Sequence, residues 1–154
     1  MSVKTQDSYW RGRIFRYAPL LLWIGVIFLF SSSLGAASNT SLIIRPLLLW
    51  LFPDISEPSI RAVQFWVRKT AHFTEYFILA CWALRAFKNS SLAILRDRRF
   101  LFSLLLVAAI ACADEFNQGF IASRTSSPYD SLLDTAGGAT ALLLAWLIRR
   151  KKRD

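Results

Sequence analysis

Apolar residues gather into four long blocks along the chain. Residues 17–34 carry no charge. Residues 100–116 and 129–148 are almost continuously apolar until each meets acidic residues at one end. The fourth block runs to residue 87 and mixes an apolar face with a charged one in its first half. A helix crosses bilayer hydrocarbon with ~17–25 residues, so each block has the length of a span. Ser56, Glu57 and Pro58 mark the start of the fourth block's helix: a side-chain cap, an N-terminal acid and proline at the first helical position. Residues 42–52 are apolar too, but short and interrupted by Arg45 and Pro46. That segment is expected to lie in the interface or to re-enter the membrane. The expected fold is an all-α, polytopic membrane protein of four transmembrane helices, with this short segment between the first and second. Residues 88–99 and 117–128 are the expected loops.

Composition agrees with this pattern. The chain has 154 residues, 55% of them hydrophobic and 19% charged. Soluble domains usually show ~45–50% and ~25%. Twelve Phe and six Trp suit a lipid-facing surface with interfacial rings. The net charge of +9 does not indicate a nucleic-acid binder. The basic residues cluster at the ends of apolar blocks and form no interleaved aromatic–basic surface. Their expected partners are membrane lipids, with the anionic inner leaflet foremost. Basic residues before residue 17 and Gly35, Ala36 and Ala37 after the first block imitate a secretory leader. Three further apolar blocks favour a retained first helix instead. Cys81 and Cys112 have no CxxC or Cys/His metal spacing and read as packing residues. No repeat or second domain is evident, so three regions are expected: a basic N-terminus (1–16), one membrane domain (17–148) and a basic tail (149–154).

Loop charge sets the expected orientation. Fourteen of the nineteen Lys and Arg lie at the N-terminus, in 85–99 and in the tail. The positive-inside rule then places both termini in the cytoplasm of a multi-pass cell-membrane protein. Seven of the ten acidic residues and the single histidine fall on the opposite side.

Depth along each helix brings several of these groups to one level. At ~1.5 Å per residue, His72 lies ~22 Å above the inner end of its helix, Glu75 ~18 Å, and Asp114 and Asp134 ~21 Å each. Ionisable groups at such depth are costly, by at least ~2.5 kcal/mol each at a helix centre, and usually mark function. Arg61, Gln64, Arg68, His72 and Glu75 step by three and four along one helix face. His72 and Glu75 are close enough in sequence to pair. Asp114 and Gln118 share a face one turn apart, and Asp114 and Glu115 together call for a cation, with Lys69, Arg124 or a ligand as the candidates. Asp130 and Asp134 share a face that Gly137 continues. Gly137, Gly138 and Ala141 read as close-packing positions.

The same residues carry a resemblance. Lys69-x-x-His72-x-x-x-Tyr76, then Asp114-Glu115-x-x-Gln118, then Arg124, then Asp130 followed by Gly137, resembles the VanZ-like family of small bacterial membrane proteins over about residues 20–146. Phe30-Ser31-Ser32 at the end of the first block also resembles the family pattern. The resemblance implies a four-span helical protein. For the founding member it implies a link with low-level resistance to the glycopeptide teicoplanin. Asp134 stands where the family often has Asn, which adds a charge, and Ala141 stands where a second Gly is common.

Three functions compete. The first is a polar site in the outer half of the bundle that binds or processes a cell-envelope lipid or its anionic headgroup. In it His72, Glu75, Asp114 and Glu115 are the candidate acid/base groups. Lys69, Tyr76, Gln118, Arg124, Asp130 and Asp134 are the candidate ligand-binding groups, Arg being suited to bidentate phosphate contact. No resident cofactor is expected. A divalent cation bridging the carboxylates to phosphate is the alternative, without strict ligand spacing to support it. The second function is a small proton-coupled transporter. The third is a structural or regulatory membrane protein whose buried charges join helices. Whether the protein is an enzyme stays open at this point. Phosphate loops, dinucleotide fingerprints, GxSxG and HExxH are absent.

Overall fold

A computed structural model describes residues 3–32, 37–121 and 127–152. Arg124 and the neighbouring Ser123 and Thr125 lie outside the described residues. The described chain is all-helical: α1 (Val3–Ser31), α2 (Ala37–Leu51), α3 (Glu57–Lys88), α4 (Ala93–Asp97), α5 (Arg99–Gln118) and α6 (Pro128–Lys151).

Helix ends follow the local chemistry. Ser56 caps α3 by accepting a hydrogen bond from the Ser59 amide at 3.3 Å, with Pro in the first turn. Ser127 caps α6 in the same way for the Tyr129 amide at 3.3 Å. Two boundaries differ from the sequence expectation. The polar segment before residue 17 is helical and continuous with the first apolar block, because a helix satisfies its own backbone whether its side chains face lipid or water. The expected loop at 88–99 contains the single-turn α4.

Three helices are long and apolar enough to cross a membrane: α1 from Gly12, α5 and α6. α2 is a shorter apolar helix of 15 residues, ~22 Å long, below the spanning minimum. α3 is the longest, with 32 residues and a length of ~48 Å. It carries His72 and Glu75 near its middle and Arg85 near its C-terminal end, so composition alone does not mark it as a span. Outward surfaces of the apolar helices present Leu21, Leu22, Leu105, Leu132 and Leu143, all exposed. In water such a belt would aggregate. With the apolar helices, it marks a multi-pass membrane protein.

α3 is the hub: α1, α2, α4, α5 and α6 all pack against it, α6 most extensively. Its inward face repeats at helical spacing through Tyr76, Leu79, Ala80, Ala83 and Ala86, all 0% exposed. Small residues there let neighbouring backbones approach, which is how helices associate where lipid removes the hydrophobic incentive. α6 answers with Gly137 and Gly138. A Cβ on Gly137 would stand 2.3 Å from the Phe73 carbonyl oxygen, and one on Gly138 2.6 Å from Val107 Cγ1. These glycines set the distance from α6 to α3 and α5. α1 is tied on by Trp23 Nε1, which donates to the Glu75 carbonyl at 2.9 Å, and by Tyr17 and Ser90 at 2.9 Å. Cys81 and Cys112 are exposed on outward faces. The packing role read from their apolar surroundings does not hold, because those neighbours face outward with them.

Candidate functional site

His72 from α3, Asp114 from α5 and Asp134 from α6 converge. Each offers one ligand atom, and the three atoms lie within 4.8 Å of one another. Both aspartates are 0% exposed. His72 Nδ1 faces Asp134 Oδ1 at 3.6 Å, an ion-pair distance too long for a hydrogen bond. This contact crosses from α3 to α6, whereas the spacing along α3 had suggested Glu75 as the partner.

Asp114 is held from behind. Ser31 Oγ donates to its Oδ2 at 2.7 Å, and Gln118 Nε2 donates to the same oxygen at 2.9 Å. Gln118 Nε2 also reaches Ser31 Oγ at 3.3 Å. Asp114 Oδ1, both Asp134 carboxylate oxygens and His72 Nδ1 are buried without a hydrogen bond. Tyr76 is fully buried beside this group, and its hydroxyl has no hydrogen-bond partner. Ser31 is the residue that the sequence reading left out of the site. The signal was present in Phe30-Ser31-Ser32 at the end of the first block, but nothing along the chain says which carboxylate that hydroxyl meets.

Other candidates have partners elsewhere. Lys69 Nζ donates to Asp130 Oδ1, and Arg68 Nη2 lies 3.9 Å from Asp130 Oδ2. The basic end of α3 thus clamps the first turn of α6. Lys69 was a candidate cation for Asp114 and Glu115; its contact is instead with Asp130, which also complements the positive end of α6. Glu115 Oε2 accepts from the Ser127 amide at 2.8 Å. Glu115 therefore supports the start of α6, a bracing contact distinct from the His72 group. Arg124 lies outside the described residues.

Beside the buried group is a cavity of about 240 Å³ between α1, α2 and α3. Phe30, Ile44, Val67 and Ala71 supply apolar wall, and Thr40, Gln64, Arg68, His72 and Glu75 supply polar groups. Gln64, Arg68, His72 and Glu75 are the helical stripe read from the sequence; Arg61 does not line the cavity. α2 closes one side. Gln64 Nε2 donates to Ser41 Oγ at 3.0 Å, and Arg45 pairs with Glu57. His72 belongs both to the cavity wall and to the buried group. The chemistry on offer is an amphipathic pocket, with Arg68 and Glu75 in its wall, leading to a histidine backed by two carboxylates.

No curated protein and no solved structure matches the chain. A family model described as VanZ/LLP1 matches residues 17–149, which include every helix that builds the cavity and the buried group. On that match the chain belongs to the VanZ-like family.

Proposed function

We propose that this membrane protein binds the headgroup of a cell-envelope lipid in the cavity between α1, α2 and α3. The observation that carries the reading is the cavity's mixed wall. Phe30, Ile44 and Val67 suit acyl or isoprenoid carbon, while Arg68, Gln64 and Thr40 suit an oxygen-rich headgroup. A guanidinium at the edge of an apolar pocket is matched to phosphate, which it grips through two parallel N–H donors. Arg68 is only loosely engaged with Asp130, at 3.9 Å, so it can turn toward a ligand.

The reading takes α3 as a fourth span and the cavity as lying in the outer half of the bilayer. The strong basic bias of the N-terminus, 85–99 and the tail supports that orientation. A headgroup reached from the outer leaflet also fits the link between the family's founding member and glycopeptide resistance. If the lipid is processed, His72 and Glu75 are the proton-transfer groups that line the cavity.

A second reading has its own observation. The Lys69–Asp130 and Ser127–Glu115 contacts join helices, as expected of a purely structural cluster. The two readings separate in native mass spectrometry of the purified protein with its retained lipids. Lipid binding predicts one lipid class held by the wild type and lost from a folded Arg68→Ala variant. An identical lipid profile in both proteins, or a wild type that retains no lipid, overturns it.

A further inference from the structure

We propose that His72, Asp114 and Asp134 form a binding site for one divalent transition-metal ion of the zinc or manganese kind. The proposal does not depend on the lipid reading.

Three observations support it. First, the donor set is right. Imidazole nitrogen favours transition metals over magnesium and calcium, and carboxylate oxygens accept zinc and manganese alike. Three protein donors also leave a coordination position open.

Second, the atoms are nearly in place. Bonds of ~2.0–2.2 Å in a tetrahedral site put neighbouring donor atoms ~3.4 Å apart. His72 Nδ1 and Asp134 Oδ1 are already 3.6 Å apart, and all three donors fit within 4.8 Å. The widest pair of donors need approach by no more than ~1.4 Å to meet that spacing.

Third, the group is unsatisfied as it stands. Asp134 is 0% exposed and neither of its carboxylate oxygens has a hydrogen bond. Asp114 keeps Oδ1 bare while Ser31 and Gln118 both hold Oδ2. Metal-ligating carboxylates are typically oriented in this way, by donors on the oxygen turned away from the ion. Buried, unpaired charges each carry a penalty of several kcal/mol. Among the described residues, no Lys or Arg pairs with Asp114 or Asp134, and the contact of Asp134 with His72 is an ion pair only when the imidazole is protonated. Two carboxylates and a neutral imidazole sum to two negative charges, which one divalent ion cancels. His72 also lines the cavity, whereas Asp114 and Asp134 do not, so the imidazole is the ligand that connects the buried group to that space.

Ser31 and Gln118 are positioning residues here. The test uses the full chain in detergent, stripped with chelator and then titrated with zinc or manganese chloride. Isothermal titration and elemental analysis should give about one ion per chain. Asp134→Asn keeps the side chain's shape and should weaken binding by more than a hundredfold, as should His72→Gln. Ser31→Ala should weaken it ~10–100-fold. Arg61→Ala, on the same helix but outside the cavity wall, should leave it unchanged. Cobalt(II) added to the wild type should give a stoichiometric visible d–d band, a readout that needs no variant. A folded wild type that takes up no zinc, manganese or cobalt at millimolar concentration overturns the proposal. So does binding that is the same in a folded Asp134→Asn or His72→Gln variant.

Discussion

Gly137→Ala tests the packing that holds the buried group together. The added Cβ would stand 2.3 Å from the Phe73 carbonyl oxygen, 3.1 Å from the carbonyl carbon and 3.2 Å from Cα, where ordinary contact begins near 3.4 Å. All three atoms are backbone, so no side chain can swing aside. α6 must withdraw from α3 by roughly 1 Å along the largest helix–helix interface in the protein. Alanine is the better helix former, by ~0.8–1.0 kcal/mol. Overpacking costs ~1–3 kcal/mol, and a rigid obstacle puts this case at the upper end. A net loss of ~1–2 kcal/mol follows, or five- to thirtyfold in the unfolding equilibrium. Gly25 is the internal control. A Cβ there meets nothing within 4 Å, so Gly25→Ala should be neutral or slightly stabilising. Thermal unfolding of both variants in one detergent decides the matter. A Gly137→Ala protein as stable as Gly25→Ala would refute the close approach, and with it the distance at which Asp134 meets His72.

Two further experiments probe the polar contacts. Ser31→Ala removes the 2.7 Å donor to Asp114, which then depends on Gln118 alone for that oxygen. A hydrogen bond to a charged group contributes ~1.5–3 kcal/mol, so denaturation in detergent should show a loss of that order; none would mean that α1 is not anchored there. Lys69→Met, Asp130→Leu and the double variant form a cycle for the clamp between α3 and α6. The side chains are 17% and 16% exposed, and coupling of ~0.5–3 kcal/mol is expected. Additive losses would show that the pair does not hold the helices.

Helix positions were legible along the chain because lipid and water impose different side chains and because caps are local. Ser56 and Ser127 begin α3 and α6 with side chains two or three residues from the amides they satisfy. The shared depth of His72, Asp114 and Asp134 was legible too, since a helix converts residue number into height. Rotation about each helix axis was not. Cys81 and Cys112 sit in apolar runs, yet face outward.

Sequence by itself therefore determined where the long apolar helices lie, the charge bias along the chain and the family pattern, though not the early start of α1 or the presence of α4. Tertiary structure decided the pairings. Lys69 went to Asp130, Glu115 to the Ser127 amide, Ser31 to Asp114 and His72 to Asp134. The physical reason is that a hydrogen bond or ion pair depends on distance and angle between side chains, whereas spacing along the chain reports only the face and height of each. Which face meets which neighbour is set by helix contacts such as Gly137 against the Phe73 backbone. Those contacts form between positions far apart in sequence, and no local pattern encodes them.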